Sequence, residues 1–311
     1  MKRWSGIMPS FQSYFFEKAI KLSVKRAVKK GVRQKGIEEQ REMLDTAASK
    51  IGRLPKTCQV VPLKLEGLYA EWLTTGTTLP DKVILYLHGG GYALCSANTH
   101  RPLAARIGKQ AGMKVLFPEY RLAPEHPFPA AIEDAVNVYQ WLLKQGYAGK
   151  DIIFAGDSAG GGLCLATALV LRDQNEPLPA GIVCLSPWVD LTSSGESYQK
   201  NGEVDPYLSV RAVKEAARMY AGTESLDHPL ISPVFADLTG LPPIMIQSGT
   251  HEILQSDAVS LAIKAKAAGV KVSFKAWDGM WHVWQISGDH LPEARRATKE
   301  IGQFIKRIIQ T

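Results

Sequence analysis

A serine flanked by glycines lies between a strand-like segment and a helix-like segment. Gly156–Gly160 reads Gly-Asp-Ser-Ala-Gly and matches the pattern G-x-S-x-G. The apolar run Ile152–Ala155 leads into it and the helix-forming run Leu163–Leu171 follows it, which is the strand–turn–helix arrangement of a nucleophile elbow. The serine of such an elbow lies at a helix N-terminus, whose dipole favours a developing anion. The pattern therefore predicts Ser158 as a nucleophile.

A second glycine run, His88–Gly91, directly follows the strand-like run Val83–Leu87. Bare backbone at such a turn can direct N–H groups at a carbonyl oxygen that becomes negatively charged. Together with the amide of Ala159, these donors would form an oxyanion hole. None of the glycines fits G-x-G-x-x-G or G-x-x-x-x-G-K-[ST], so no nucleotide-binding loop is predicted.

A serine nucleophile needs a base, and the base needs a carboxylate that orients it. The chain order that accompanies a nucleophile elbow is serine, acid, histidine, which places the base after the last strand. Among seven histidines, His282 directly follows the strand-like run Val272–Ala276 and fits that place. The base is therefore predicted to be His282.

The acid is expected in the loop after the strand-like run Ile244–Gln247, where Glu252 and Asp257 are both available. Glu252 is preferred, because Asp257 falls in the first turn of the next predicted helix, where a carboxylate can cap the helix. A zinc motif H-E-x-x-H would need histidine at position 255, which is Gln255. No other cluster has ligand spacing, so no metal site is predicted.

The elements that must position these residues alternate from residue 58 onward. Near-continuous apolar runs are separated by stretches with helical periodicity, among them residues 100–111, 130–145, 159–173 and 256–268. This alternation is typical of a mostly parallel sheet covered by helices on both faces. Val60–Leu65 and Tyr69–Leu73 have no helix between them and predict an antiparallel pair at one edge. The sequence predicts an α/β fold of about eight strands.

Two regions do not fit the alternation. Residues 1–50 are predicted to be helical, and residues 191–235 contain more chain than one crossover helix needs, including a helix at about Ser209–Ala221. In the first region, apolar residues recur at every fourth position: Phe16, Ile20, Val24 and Val28. We expect residues 1–50 to form an N-terminal helical segment and residues 51–311 to form one catalytic domain with an insertion at about 191–235.

The charge distribution argues against a nucleic-acid binder. The 311-residue chain has a net charge of +7, and residues 1–50 hold 12 basic and 5 acidic side chains, so the remaining residues are balanced. A nucleic-acid surface built into the fold would place basic residues in the body too. A basic amphipathic helix can lie on an anionic membrane surface. The sequence favours instead a helix whose apolar face packs on the body and whose lysines lie in water.

The expected location is the cytoplasm. Met1–Pro9 has basic residues but no apolar segment of the kind that a signal peptide carries. No stretch approaches 18 consecutive apolar residues, so no membrane span is predicted. The four cysteines show no C-x-x-C pair, which favours free thiols in a reducing compartment.

Four motifs in the same order resemble those of the hormone-sensitive-lipase family of α/β-hydrolases, the bacterial family IV esterases. They are His88–Gly91, Tyr120–Ala131, Gly156–Gly160 and Ser186–Asp190. The resemblance covers roughly residues 60–310. It implies hydrolysis of short- to medium-chain carboxylic esters of small molecules without a cofactor. It also implies that residues 1–50 and about 191–235 form a helical cap over the site.

The resemblance implies a role for individual residues. Ser158 would be the nucleophile, His282 the base and Glu252 the acid, and the oxyanion donors would be Gly90, Gly91 and Ala159. Many relatives have Asp followed by Pro-Leu where this chain has Glu252-Ile253-Leu254. Residues close in sequence to the site are candidates to line the acyl or alcohol pockets: Tyr92, Leu94, Trp188, Met280 and Trp281.

Two other readings remain open. An amidase or peptidase could use the same triad on the same fold. The family resemblance also includes plant gibberellin receptors, which bind a small ligand without catalysis and lack the base histidine, whereas this chain has His282. The expected assembly is a monomer or a homodimer.

Overall fold

One mixed sheet of eight strands forms the centre of the computed structural model, which describes residues 9–29, 31–51, 53–65 and 67–310. The order of the strands across the sheet is β1-β2-β4-β3-β5-β6-β7-β8. β1 pairs with β2, and β2 with β4, in antiparallel fashion, and all other neighbours are parallel. Their bounds are β1 Cys58–Leu65, β2 Leu68–Thr75, β3 Leu79–Leu87, β4 Met113–Pro118, β5 Ile152–Asp157, β6 Gly181–Leu185, β7 Ile244–Gly249 and β8 Val272–Trp277. The predicted fold class and the antiparallel edge are confirmed.

The described part of the chain forms nine α-helices. They are α1 Phe11–Lys29, α2 Ile37–Ile51, α3 Ala97–Ala111, α4 Ala130–Lys144, α5 Ala159–Asp173, α6 Ser197–Lys200, α7 Val210–Ala221, α8 Gln255–Ala267 and α9 Pro292–Ile309. α3 begins three residues before the predicted start, because Ser96 caps it. The Ser96 hydroxyl accepts from the Asn98 N–H, and the Thr99 hydroxyl accepts from the Ser96 N–H.

The sheet is covered on both faces. α4, α5 and α8 pack against one face, and α3 and α9 pack against the other. Every residue of β5 and β6 is buried, which accounts for their near-continuous apolar sequence. Burying one such Val, Leu or Ile side chain stabilises the fold by about 1.5–3 kcal/mol. The strand ends that carry the predicted site residues therefore rest on a rigid core.

The N-terminal region forms two helices, α1 and α2, separated by a 3-10 turn at Val32–Gln34. Phe16 and Ile20 of α1 pack on a small buried cluster that contains Trp277 and Trp284. The side chain of Val28 and residues 1–8 lie outside the described residues, so the predicted stripe is seen in part. The insertion expected at 191–235 contains α6 and α7.

None of the described helices combines the length and the apolar character that a bilayer span requires. All four cysteines carry free thiols.

Candidate active site

Ser158 lies in a sharp turn between β5 and α5. Its backbone has φ 52° and ψ −122°, a conformation that non-glycine residues rarely adopt and that clusters at functional sites. A Cβ at Gly160 would lie 2.0 Å from the Leu87 carbonyl oxygen, and one at Gly156 would lie 2.4 Å from the Gly160 carbonyl oxygen. Only glycine fits at these two positions, so the turn has the strand–turn–helix geometry of the predicted elbow.

The turn after β3 faces this elbow with unpaired backbone donors. Gly90 and Gly91 have φ of 113° and 63°, so both adopt conformations that favour glycine. The Gly90 carbonyl accepts from the amides of Ala93 and Leu94, which fixes the turn. Across the part of the chain that the structure describes, the N–H groups of Gly90, Gly91 and Ala159 donate to no other group. These amides are therefore available to a ligand oxygen.

Asp157 ties this turn to the elbow. Its Oδ1 accepts from the Gly89 N–H at 3.2 Å and from the Tyr86 hydroxyl at 2.7 Å, and its Oδ2 lies 3.0 Å from His100 Nε2. Burial raises the pKa of Asp157, but the charge of His100 and these hydrogen bonds outweigh burial and hold the pKa below its ordinary value. The residue beside Ser158 is thus a carboxylate that orients the glycine turn.

The structure brings the predicted base and the preferred acid into contact. His282 Nδ1 lies 2.7 Å from Glu252 Oε2. The other carboxylate oxygen, Oε1, accepts from the Gly249 N–H at 2.6 Å and from the Ser186 hydroxyl at 3.1 Å. Glu252 is fully buried and His282 is 7% exposed. The glutamate at this position therefore reaches the imidazole.

Asp257, the alternative acid, makes different contacts. Its Oδ2 accepts from the amides of Val189 and Asp190 at 3.1 and 2.9 Å. Burial raises the pKa of Asp257 well above its ordinary value. The side chain thus holds the backbone of the Ser186–Asp190 segment, and no hydrogen bond joins it to His282 in the described structure.

Two opposing effects set the pKa of His282. Burial lowers it, whereas the hydrogen bond and charge of Glu252, with the charges of Asp205 and Asp157, raise it. The raising effects prevail, so the pKa of His282 lies above its ordinary value of 6.5. The imidazole is thereby made a stronger base.

Ser186, which was not predicted as a site residue, also contacts Glu252. Its hydroxyl donates to Glu252 Oε1 and accepts from the Val283 N–H, both at 3.1 Å. Its backbone has φ 45°, and its N–H donates to the Gln247 carbonyl at 2.7 Å. One buried hydroxyl thus links Glu252 to Val283, the residue after His282. The sequence feature that could have identified it is its position at the start of the Ser186–Asp190 motif.

The segment of residues 191–235 contains a buried carboxylate, Asp205, that was not predicted as a site residue. Asp205 Oδ2 accepts from the Ile253 N–H at 2.9 Å, and its Oδ1 accepts from the amides of Tyr207 and Leu208. Asn201 donates to the Glu252 carbonyl at 2.8 Å. Burial raises the pKa of Asp205 above its ordinary value. Asp205 and Asn201 therefore bind the backbone of the loop that carries Glu252.

The N-terminal segment contacts the end of the glycine turn that follows β3. Arg41 of α2 donates to the carbonyls of Ala93 and Ala123, each at 2.8 Å, and forms a two-pronged ion pair with Glu125. Ala93 is the residue whose N–H donates to the Gly90 carbonyl. A planar guanidinium suits such a set of acceptors, and lysine cannot reproduce it. Arg41 thereby fixes the end of the glycine turn.

The five candidate pocket residues have different environments. Tyr92 and Trp188 are buried side by side, and the Tyr92 ring stacks on Tyr220 of α7 with 3.6 Å between centroids. Met280 and Trp281 are buried in the cluster on which α1 packs, so their contacts are those of core residues. Leu94 is half-buried.

Within the described ranges, no group of three or more His, Cys, Asp or Glu side chains is placed so that it could hold a metal ion.

Comparisons with known proteins identify the relatives of this chain. A family model described as the alpha/beta hydrolase fold matches residues 84–286. An acetyl-hydrolase from Streptomyces hygroscopicus is 44% identical over 237 residues, covering 76% of this chain and 79% of that protein. An esterase from Acinetobacter venetianus is 37% identical over 293 residues, covering 94% of this chain and 95% of that protein.

A solved structure is similar to this chain in three dimensions as well. The crystal structure of an esterase from the bacterial hormone-sensitive lipase family has a TM-score of 0.90 and 40% sequence identity, covering 97% of this chain and all of that chain. The family model spans the glycine turn, the elbow, the end of β3 and the strands from β4 to β8, and it leaves out β1 and β2. The chain belongs to the hormone-sensitive-lipase family of α/β-hydrolase esterases.

Proposed function

We propose that this protein hydrolyses short- to medium-chain carboxylic esters through an acyl-enzyme formed on Ser158. The observation that carries the proposal is the 2.7 Å contact between His282 Nδ1 and Glu252 Oε2, in a site that also holds the strained serine turn. A carboxylate on Nδ1 keeps the proton on that nitrogen and leaves Nε2 free to accept. His282 is then the base for the serine hydroxyl.

In the first half of the reaction, the Ser158 proton moves to His282 Nε2 as the serine oxygen attacks the ester carbonyl. The carbonyl oxygen becomes negatively charged and accepts hydrogen bonds from Gly90, Gly91 and Ala159, whose amides have no other partner in the described structure. Each such donor contributes about 10²- to 10³-fold to the rate. The C–O bond then breaks, and the alkoxide leaves as an alcohol with the proton from His282.

In the second half, His282 takes a proton from water as the water oxygen attacks the acyl-enzyme. The same three amides stabilise the second oxyanion. Collapse of this intermediate breaks the bond to Ser158, and the serine oxygen recovers its proton from His282. The products are a carboxylic acid and an alcohol, and no cofactor takes part in the proposed cycle.

We further propose that residues 1–50 and about 191–235 act as a cap. Arg41 supports this from the first segment, because it contacts the end of the oxyanion turn. Asp205 and Ala216 support it from the second. Asp205 binds the loop of the acid, and a Cβ placed at Gly91 would lie 3.2 Å from Ala216. Close packing beside an oxyanion donor limits the space for a long acyl chain.

Rates on p-nitrophenyl esters from acetate to palmitate test this function. We expect the highest kcat/KM between acetate and octanoate, and a value for palmitate at least about ten-fold lower, since a mismatch of a few methylenes in a pocket is worth this much. Butyryl p-nitroanilide serves as the matched amide substrate. A higher kcat/KM on the anilide than on p-nitrophenyl butyrate would establish an amidase instead.

The raised pKa of His282 predicts the acid side of the pH profile. Only neutral His282 can accept the serine proton, so kcat/KM should fall as the pH drops through the His282 pKa, with a midpoint above 6.5. Asp205→Asn removes one of the negative charges that raise this pKa, so its midpoint should move to lower pH. Asp237→Asn, at an exposed carboxylate, is the control and should leave the midpoint unchanged. Equal midpoints for all three proteins would contradict the proposed electrostatics.

A further inference from the structure

The outward side of α1 carries large apolar side chains. Phe11 is 76% exposed, Phe15 is 54% exposed and Leu22 is 49% exposed, and the spacing of positions 11, 15 and 22 puts them on one side of the helix. Tyr14 beside them is 53% exposed. The opposite side of α1 already packs on the body through Phe16 and Ile20. The helix therefore has a second apolar surface that its own fold does not use.

The rest of that outward side is positively charged. α1 contains five basic residues, Lys18, Lys21, Lys25, Arg26 and Lys29, and one acidic residue, Glu17. Glu17 pairs with Lys21 at 2.8 Å. The other four basic side chains are exposed, and Lys18 lies over the Tyr14 ring at 4.3 Å from its centroid. Exposed aromatic and leucine side chains together with lysines are the composition of helices that lie in a lipid interface.

The charge of this surface distinguishes between two possible binding partners, a second copy of the chain and an anionic lipid bilayer. A second copy of the chain, docked through the same side of α1, would bring eight exposed cations into one interface with no exposed acid of α1 to compensate them. Anionic lipid head groups would compensate the cations while the aromatic side chains enter the interface. The surface is therefore electrostatically more complementary to an anionic bilayer than to a second copy of the chain.

The body holds α1 beside the loops of the acid and the base. Ser10 donates through its N–H and its hydroxyl to the buried Glu293 carboxylate, at 2.9 and 3.0 Å. Glu17 Oε2 lies 3.6 Å from His251 Nδ1, and Pro9 lies against Gly279. His251 precedes the proposed acid in the chain, and Gly279 is three residues before the proposed base. A bilayer bound to α1 would thus lie next to the proposed site.

We propose that the outward surface of α1, formed by Phe11, Tyr14, Phe15, Leu22 and the exposed lysines, binds anionic lipid bilayers. This binding goes beyond ester hydrolysis and does not depend on it. Its consequence for the enzyme is access to acyl esters that partition into a membrane. The contact lies on the surface of the bilayer, since α1 keeps its other side on the body.

Co-sedimentation of the full-length protein with lipid vesicles tests the proposal. We expect binding to phosphatidylcholine vesicles that contain about a third phosphatidylglycerol, and little binding to pure phosphatidylcholine. Phe15→Ser with Leu22→Ser, and separately Lys18→Glu with Lys25→Glu, should each lower the partition coefficient at least about ten-fold. Raising the salt from about 0.1 M to about 1 M should weaken the binding of the unaltered protein, because the Debye length falls from about 10 Å to about 3 Å.

Ile263→Ser is the matched control, because Ile263 is 63% exposed but lies on α8. Its vesicle binding should equal that of the unaltered protein. Hydrolysis of soluble p-nitrophenyl butyrate reports whether each variant is folded. If the variant with Phe15→Ser and Leu22→Ser loses this activity, the vesicle binding of the variant with Lys18→Glu and Lys25→Glu tests the proposal. Equal binding to both kinds of vesicle, or full binding by the charge-reversed variant, would overturn the proposal. So would a change of oligomeric mass in these variants without lipid, because the surface would then serve self-association.

Discussion

Ser158→Ala is expected to lower kcat for p-nitrophenyl butyrate by about 10⁵-fold or more, as loss of the nucleophile does in other serine hydrolases. The methyl group fits the same turn, so the strained backbone and the amides of Gly90, Gly91 and Ala159 stay in place. Those donors alone would leave a small residual rate above that of water. Stopped-flow assays of the unaltered protein should in addition show a burst of p-nitrophenol if acyl-enzyme hydrolysis is the slower step.

Ser248→Ala is the control for this substitution. Ser248 also lies near the carboxyl end of a parallel strand, β7, and its buried hydroxyl has no hydrogen-bond partner in the described structure. Its removal should leave kcat within a few-fold, the effect of a neutral hydrogen bond at most. A Ser158→Ala protein with more than about a hundredth of the unaltered rate would rule out Ser158 as the nucleophile, because general acid–base help alone contributes about 10²- to 10⁴-fold.

The local patterns predicted those parts of the site that lie within one short segment. The elbow at Gly156–Gly160 could be recognised because its glycines are required by contacts with adjacent backbone, at 2.0 Å for a Cβ on Gly160. The alternation of apolar runs and helices likewise predicted the parallel sheet, because both faces of such a sheet are buried.

The rest of the site depends on segments far apart in the chain. Glu252 and Asp257 both follow β7, and only the fold shows that one reaches His282 while the other binds the amides of Val189 and Asp190. Ser186 contacts Glu252 across 66 positions, and Arg41 contacts Ala93 across 52. No periodicity in the sequence encodes such a pair.

The N-terminal helix shows a different limit of the sequence. The four-residue spacing identified the stripe of Phe16 and Ile20, which the structure places against the body. That spacing did not predict the positions of Phe11, Phe15 and Leu22. An ordinary amphipathic helix has one apolar side, whereas these three residues form a second apolar side on α1. Because these three residues are exposed beside the basic residues of α1, we interpret the positive charge of residues 1–50 as part of a candidate lipid-binding surface.

Glu252→Gln carries the second large effect that we expect, a loss in kcat of about 10³- to 10⁴-fold. An amide can present its NH₂ group to His282 Nδ1, which favours the tautomer with its proton on Nε2, and that tautomer cannot accept the serine proton. The loss of the carboxylate also removes the charge that raises the His282 pKa. The remaining contacts of Glu252, with Gly249 and Ser186, can still be met by an amide oxygen, so the fold should persist.

Asp257→Asn is the matched substitution at the alternative acid and should lower kcat by less than about ten-fold, the scale of one neutral hydrogen bond. Burial favours the uncharged form of Asp257, which asparagine imitates, and the amide oxygen can accept from Val189 and Asp190 as the carboxyl does. Steady-state kinetics of both variants, with thermal unfolding to verify folding, decide between the two acids. If Asp257→Asn loses more activity than Glu252→Gln while both remain folded, the acid is Asp257, and the contact between Glu252 and His282 serves structure alone.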